Sequence, residues 1–327
     1  MMSKMKVTTL KNSNNLELQI SNLGATIISL NIPDKNNKTV NVIVGLEAED
    51  YNKEPYLSNY SYLGASVGRY AGRISKGKFE VDGVNYPIYT DEGVHLHGGK
   101  SGFDKKYWVV ENLVEGENPL VTFSCESAHL EEGYPGNLKV SVTYQLTEEN
   151  EVKVTYKATT DAATPINLTN HAYFNLNGCD SIVDHTLKLN SAQYLEVDAQ
   201  LIPSGKRIDS KNTRFDFNEE SIIGRSDFKG FDDSFVLGKE PLKATLTAPK
   251  TGIQMKVFTN QPASVIYTPE LLADLPFKNH VSYSKFSAIC FETQNFPDAP
   301  NNANFPSSIL KPNEVYLNEA VWSFSIV

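Results

Sequence analysis

This chain of 327 residues has only three cysteines, Cys125, Cys179 and Cys290, far apart and without a C-x-x-C pair. An odd count this low argues against a disulfide framework and fits a reducing compartment. Positive charge is also short, with 30 Lys and Arg against 39 Asp and Glu and a net charge of −9. Nucleic-acid binding would need a basic surface that releases counterions from phosphates. An anionic membrane has no reason to attract such a chain either. No apolar run approaches the roughly 18 residues that a membrane helix requires. The opening stretch, M-M-S-K-M-K-V-T-T-L-K-N, lacks the apolar core of a secretory signal. These absences predict a cytoplasmic protein with neither nucleic-acid nor membrane partners.

Segments of helical period are scarce as well, and no repeat or composition break divides the chain. What is present is a long series of short strands. Leu16 to Ile20 alternates apolar and polar residues, and so does Val140 to Leu146. Asp82-Gly83 between Lys78–Val81 and Val84–Ile88 is a two-residue hairpin signal. Phe215 to Phe217, Leu242 to Ala248, Ile253 to Phe258 and Val265 to Tyr267 continue the rhythm, and Val315 to Val327 closes it. The pattern predicts one all-β domain over residues 1–327, built as a large antiparallel β-sandwich of two sheets packed face to face. The strands are too many for a small barrel filled by its own side chains.

Chemistry concentrates in a few stretches. Asn167 to Gly178 reads N-L-T-N-H-A-Y-F-N-L-N-G, and as a strand it sets Ile166 and Leu168 against Asn167, Thr169 and His171. A polar row of this kind needs either water or a polar ligand, because an unpaired buried polar group costs a few kcal/mol. His171 is the side chain there that exchanges a proton near neutrality; the structural alternative is a core imidazole satisfied by a carbonyl. Ser287 to Asp298, S-A-I-C-F-E-T-Q-N-F-P-D, sets Glu292 on the face of Ala288 and Cys290, opposite Ile289 and Phe291. Its alternative is a strand-end carboxylate with its head in water. Leu63 to Ser75 surrounds Arg69 and Arg73 with small residues and glycines. In Val94 to Gly99 an extended backbone would put His95 and His97 on one face. Without a further ligand at matching spacing, that pair predicts no metal site. Gly230 to Ser234 carries Asp232 and Asp233, read as an interruption between strands.

Taken together these motifs resemble the aldose 1-epimerase (galactose mutarotase) family over nearly the whole chain. The matching pieces are L-G-A-S-V-G-R-Y-A-G-R-I at 63–74, L-H-G-G at 96–99, E-G-Y-P-G at 132–136, N-L-T-N-H-A-Y-F-N-L at 167–176, G-F-D-D at 230–233 and E-T-Q-N-F-P-D at 292–298. The resemblance implies a galactose mutarotase-like supersandwich that interconverts the α and β anomers of a free aldohexose, without metal or organic cofactor. Carried over position by position, it makes Glu292 the catalytic base and His171 the catalytic acid. It makes Arg73, His97 and Asp232 substrate-binding, and leaves Arg69, His95 and Asp233 off the substrate. The expected protonation is a Glu292 carboxylate that favours an imidazolium on His171. Two positions depart from the pattern. Gly72 stands where some members carry Asn and Val265 where some carry Gln, and each change removes a side-chain hydrogen bond open to a sugar hydroxyl. Preference among hexoses, and the choice between monomer and homodimer, are not fixed by these motifs.

Three other readings compete. A glycosidase would use Asp232 with Glu292 as its carboxylate pair. A non-catalytic carbohydrate-binding module would use the tyrosines of 51–62 as an exposed platform. Within the family, a disaccharide epimerase or a sugar-phosphate mutarotase would share the chemistry, although the phosphate version needs a basic cluster that the sequence does not present.

Overall fold

Period-two burial builds the sheets. In Leu138–Leu146 the residues Leu138, Val140, Val142, Tyr144 and Leu146 are buried, with more open positions between them. The computed structural model describes residues 5–58 and 61–327; Met1 to Lys4 of the opening stretch and Tyr60 of the tyrosine-rich loop lie outside them.

The largest sheet has nine strands, in the order Val109–Val114, Leu120–Ser127, Leu138–Leu146, Glu151–Thr160, Tyr316–Ile326, Ile253–Thr259, Leu242–Thr247, Thr186–Leu189 and Ser221–Ile222. The C-terminal strand is therefore central, pairing Ala320 with Val154 on one side and Trp322 with Val257 on the other. The second sheet has six strands, Tyr173–Phe174, Ile289–Gln294, Ala263–Tyr267, Asp232–Val236, Gln193–Val197 and Pro203–Asp209. A third, of four strands, runs from Val7–Lys11 to Thr39–Asn41. All these pairings are antiparallel, and the sandwich expected from the sequence is the fold observed.

One continuous apolar core joins the three sheets. Phe174, Ile289 and Phe291 of the six-stranded sheet share it with Trp322, Phe324 and Met255 of the nine-stranded one, and with Leu18, Ile20 and Leu30 of the four-stranded one. The Phe174 and Trp322 rings meet edge to face at 4.9 Å. This packing decides what faces the opposite way. With Ile289 and Phe291 in the core, Cys290, Glu292 and Gln294 must point to the other side of their strand.

Two local expectations change. Phe215 to Phe217 is not a strand. Its neighbouring carbonyls are taken by a guanidinium, since Arg225 donates to the carbonyls of Arg214 and Asp216, and both phenylalanines pack in the core without a ladder. Asp232 and Asp233 do not interrupt the strands either. They begin one, Asp232–Val236, so the two carboxyls project to opposite faces.

Candidate active site

The polar row of Asn167, Thr169 and His171 lies along the Ile289–Gln294 strand and mostly satisfies itself. Asn167 donates to the carbonyls of Ala71 and Asn295 and accepts from the Asn295 N–H. Thr169 donates to the Thr293 carbonyl. Neither residue needs the water or ligand that the sequence pattern called for, because the neighbouring backbone completes both. His171 is different. Its backbone is pinned in both directions, its N–H donating to the Ala65 carbonyl and its carbonyl accepting from the Gly64 N–H. Its ring has Nε2 3.5 Å from Glu292 Oε1. His171 Nδ1 and Glu292 Oε2 are buried without a hydrogen-bond partner among the described residues.

Both groups are almost fully buried, and burial decides their charge. Loss of water lowers the His171 pKa to about 4; its own carbonyl acts in the opposite direction but less strongly. Loss of water raises the Glu292 pKa to about 8, with Asp232 adding to the rise and Arg73 opposing it. Burial thus works against the carboxylate–imidazolium pairing expected from the sequence, raising the Glu292 pKa and lowering that of His171. Loss of water is the largest influence on both groups, and it pushes each toward its neutral form.

The pair opens onto a cavity of about 520 Å³ that Arg73, His97, Asp232, Tyr62, Tyr173 and Tyr267 also line. Arg73 comes from the short strand Arg73–Ile74, which pairs with His95–Leu96. Its guanidinium stands 3.5 Å from the Asp232 carboxylate, a partly exposed pair. Burial raises the Asp232 pKa and Arg73 lowers it.

His95 and His97 do not share a face, because the strand ends at Leu96 and His97 turns into the left-handed region at φ 51°. Gly98 and Gly99 follow at φ 90° and 100°, and a side chain on Gly98 would meet the Gly68 carbonyl at 1.9 Å. His95 is held in the interior by the Tyr134 hydroxyl at 2.6 Å and the Tyr89 carbonyl at 2.7 Å. Glu132 accepts from the N–H groups of Lys100 and Ser101, so the E-G-Y-P-G motif braces the loop that carries His97. Burial, followed by His171 and Arg73, pushes the His97 pKa well below its ordinary value.

The residues set aside from substrate contact lie elsewhere. Arg69 is caged by carbonyls of Ser127, Ala128 and Pro135 and by the Ser127 hydroxyl. Asp233 turns to Arg214 at 3.4 Å.

The sequence reading missed the aromatic frame. His171 is stacked between two tyrosines, with ring centroids 5.0 Å from Tyr173 and 5.9 Å from Tyr62, and Tyr267 meets it edge-on at 6.1 Å. Tyr173 was legible, since it lies two residues beyond His171 on the same face; Tyr62 was not, because it arrives from a distant loop. The segment 269–273 supplies a further wall through Pro269, Leu271, Leu272 and Ala273. Ligand atoms of His97, His171 and Glu292 lie within 4.8 Å of one another, a spacing that would suit a small cation.

Residues 6–322 match the family described as aldose 1-epimerase. The chain belongs to the aldose 1-epimerase family. It is 40% identical over 311 residues to the aldose 1-epimerase of Haemophilus influenzae, covering 91% of this chain and 88% of that protein. It is likewise 40% identical over 322 residues to the galactose mutarotase of Homo sapiens, covering 95% and 92%. Among solved structures, an aldose epimerase homologue from C. elegans superposes with a TM-score of 0.91 at 29% identity, covering 99% of this chain and 100% of that one. Galactose 1-epimerase from Lactobacillus acidophilus gives 0.85 at 28%, with 99% of each chain covered.

Proposed function

We propose that this protein is a mutarotase that interconverts the α and β anomers of a free aldohexose such as galactose or glucose. Glu292 and His171 would be its proton-exchanging pair. The observation that carries this reading is the 3.5 Å approach of the two side chains at the wall of a cavity that also holds Arg73, Asp232 and His97.

Between about pH 4 and about pH 8 the pair carries one exchangeable proton. A bound sugar's hydroxyls would donate to the Glu292 carboxylate and favour its ionised form, moving that proton to His171. Glu292 then takes the proton of the C1 hydroxyl while His171 gives one to the ring oxygen. The C1–ring oxygen bond breaks and a C1 carbonyl forms. Rotation about C1–C2 presents the other carbonyl face. Closure reverses both transfers, with protonated Glu292 as acid and neutral His171 as base, so the original protonation returns. Each positioned group contributes ~10²–10⁴-fold. Arg73 and Asp232 would fix the ring by its hydroxyls, which supplies orientation.

The competing readings lose support. A glycosidase would need a second free carboxylate, and Asp232 is engaged by Arg73. An exposed aromatic platform is missing from the described part of the 51–62 loop: Tyr51 is buried, Tyr56 packs edge-on against it, and Tyr62 faces His171.

Polarimetry on freshly dissolved pure anomers of galactose, glucose, maltose and glucose 6-phosphate tests the reaction and ranks substrates in one experiment. Equilibration no faster than the uncatalysed rate for all four would refute the proposal.

A further inference from the structure

His97 and His171 stand side by side, with ring centroids 5.4 Å apart, in the same wall of one cavity. Their nitrogens are held differently. Nδ1 of His171 has no partner among the described residues and its Nε2 faces a carboxyl. Nδ1 of His97 accepts a hydrogen bond from the backbone N–H of Gly72 at 3.1 Å, and the His97 backbone N–H donates to the Gly72 carbonyl at 3.1 Å. A backbone N–H is only ever a donor. The Nδ1 lone pair is therefore committed, and a neutral imidazole so bound carries its proton on Nε2. Adding a second proton would set two N–H groups against each other in a buried place.

The Gly72 backbone is built to make this bond. Its φ of +82° lies where side chains are strained, and a Cβ there would crowd Pro297 at 3.1 Å and Gln294 at 3.2 Å. His97 itself occupies the left-handed region at φ 51°, a conformation strained for a residue with a Cβ. Two unusual backbone conformations meet at this one contact.

We propose that the Gly72 N–H locks His97 as the neutral Nε2–H tautomer, making it a fixed hydrogen-bond donor to a substrate oxygen beside His171 and Glu292. On the mutarotase reading, on which its role toward substrate rests, His97 supports charge on a reacting oxygen and exchanges no proton. Gly72 is the positioning residue and acts through its backbone. The lock also removes His97 from the trio whose spacing would suit a cation, since neither ring nitrogen offers a lone pair to the cavity.

The tautomer is read directly by multiple-bond ¹H–¹⁵N correlation spectra of histidine-labelled protein without sugar, His97 being assigned by its loss in His97→Gln. The expected pattern is a protonated Nε2 and an unprotonated Nδ1, unchanged from about pH 5 to about pH 9, a range spanning the ordinary imidazole pKa of about 6.5. A protonated Nδ1, or titration inside that range, overturns the proposal. Replacing the Gly72 amide by a backbone ester removes the N–H and also weakens the Ala71 carbonyl as the acceptor from Asn167; a second tautomer of His97 is then expected, and its absence would remove Gly72 from the role.

Kinetics separate a donor from a proton exchanger. The glutamine amide places an N–H₂ where Nε2 stands, so His97→Gln is expected to keep kcat/KM within about tenfold and the wild-type pH profile, whereas His97→Leu loses ~10²-fold. Equal losses in the two variants sink the donor role. Should the protein not act on sugars at all, the spectra still decide the tautomer, so the two failures are distinguishable.

Discussion

Glu292 Oε1 stands 3.5 Å from His171 Nε2, with both side chains buried and each left with one unpartnered polar atom among the described residues. The Glu292 side chain is therefore held in an environment that destabilises its own charged form. That is the expected state of a group kept for proton exchange rather than for stability.

Removing the carboxylate should separate activity from folding. Glu292→Gln is expected to lose ~10²–10⁴-fold in kcat by polarimetry while giving an unchanged far-UV spectrum. His171→Asn should behave in the same way. A variant of either residue with near-native mutarotation would remove that residue from the pair.

The same substitution should stabilise the protein, increasingly so with pH. The folded pKa of Glu292 is raised to about 8, so above its unfolded value near 4.5 the native state binds more protons than the unfolded state. Stability then falls as pH rises towards about 8. His171 acts in the opposite sense below its unfolded value, but it is present in both proteins and cancels. The Tm advantage of Glu292→Gln should therefore grow between about pH 5 and about pH 8. A constant difference across that range would mean that the carboxyl is not held neutral.

The pH–rate profile of the wild type should be a bell. Activity rises as the pair loses its second proton near the His171 value of about 4, and falls as it loses its last near the Glu292 value of about 8. Val265 pairs directly with Glu292 across the sheet and presents an apolar neighbour to it. Val265→Gln adds a donor there, so the alkaline limb in kcat/KM should move to lower pH. A limb unmoved by this substitution would assign it to another group.

The tyrosine frame should matter through its rings. Tyr173→Phe keeps the face stacked on His171 and loses only the hydroxyl bond to the Ser61 carbonyl, so kcat should change by less than about fivefold. Tyr173→Leu frees one face of the imidazole, with an expected loss of ~10-fold or more in kcat. Equal effects from the two variants would assign the contribution to the hydroxyl.

Asp232 and Arg73 should act on binding. Asp232→Asn leaves the guanidinium in place but weakens its anchor, with KM expected to rise about tenfold and kcat nearly unchanged. A drop confined to kcat would instead make Asp232 part of the proton exchange.

By itself the sequence determined the sandwich, because alternating burial in segments such as Val140 to Leu146 leaves a sheet as the one way to hide every second side chain. It also determined which face of its strand Glu292 occupies, since Ile289 and Phe291 commit the other face to the core. Local spacing could not say that Asn167 and Thr169 would be satisfied by the backbone of a strand more than a hundred residues away. Nor could it say that His97 would turn away from His95, or that Tyr62 would cover His171. Charge state was hidden for the same reason. A pKa depends on how much water the assembled fold removes, and only tertiary packing decides that.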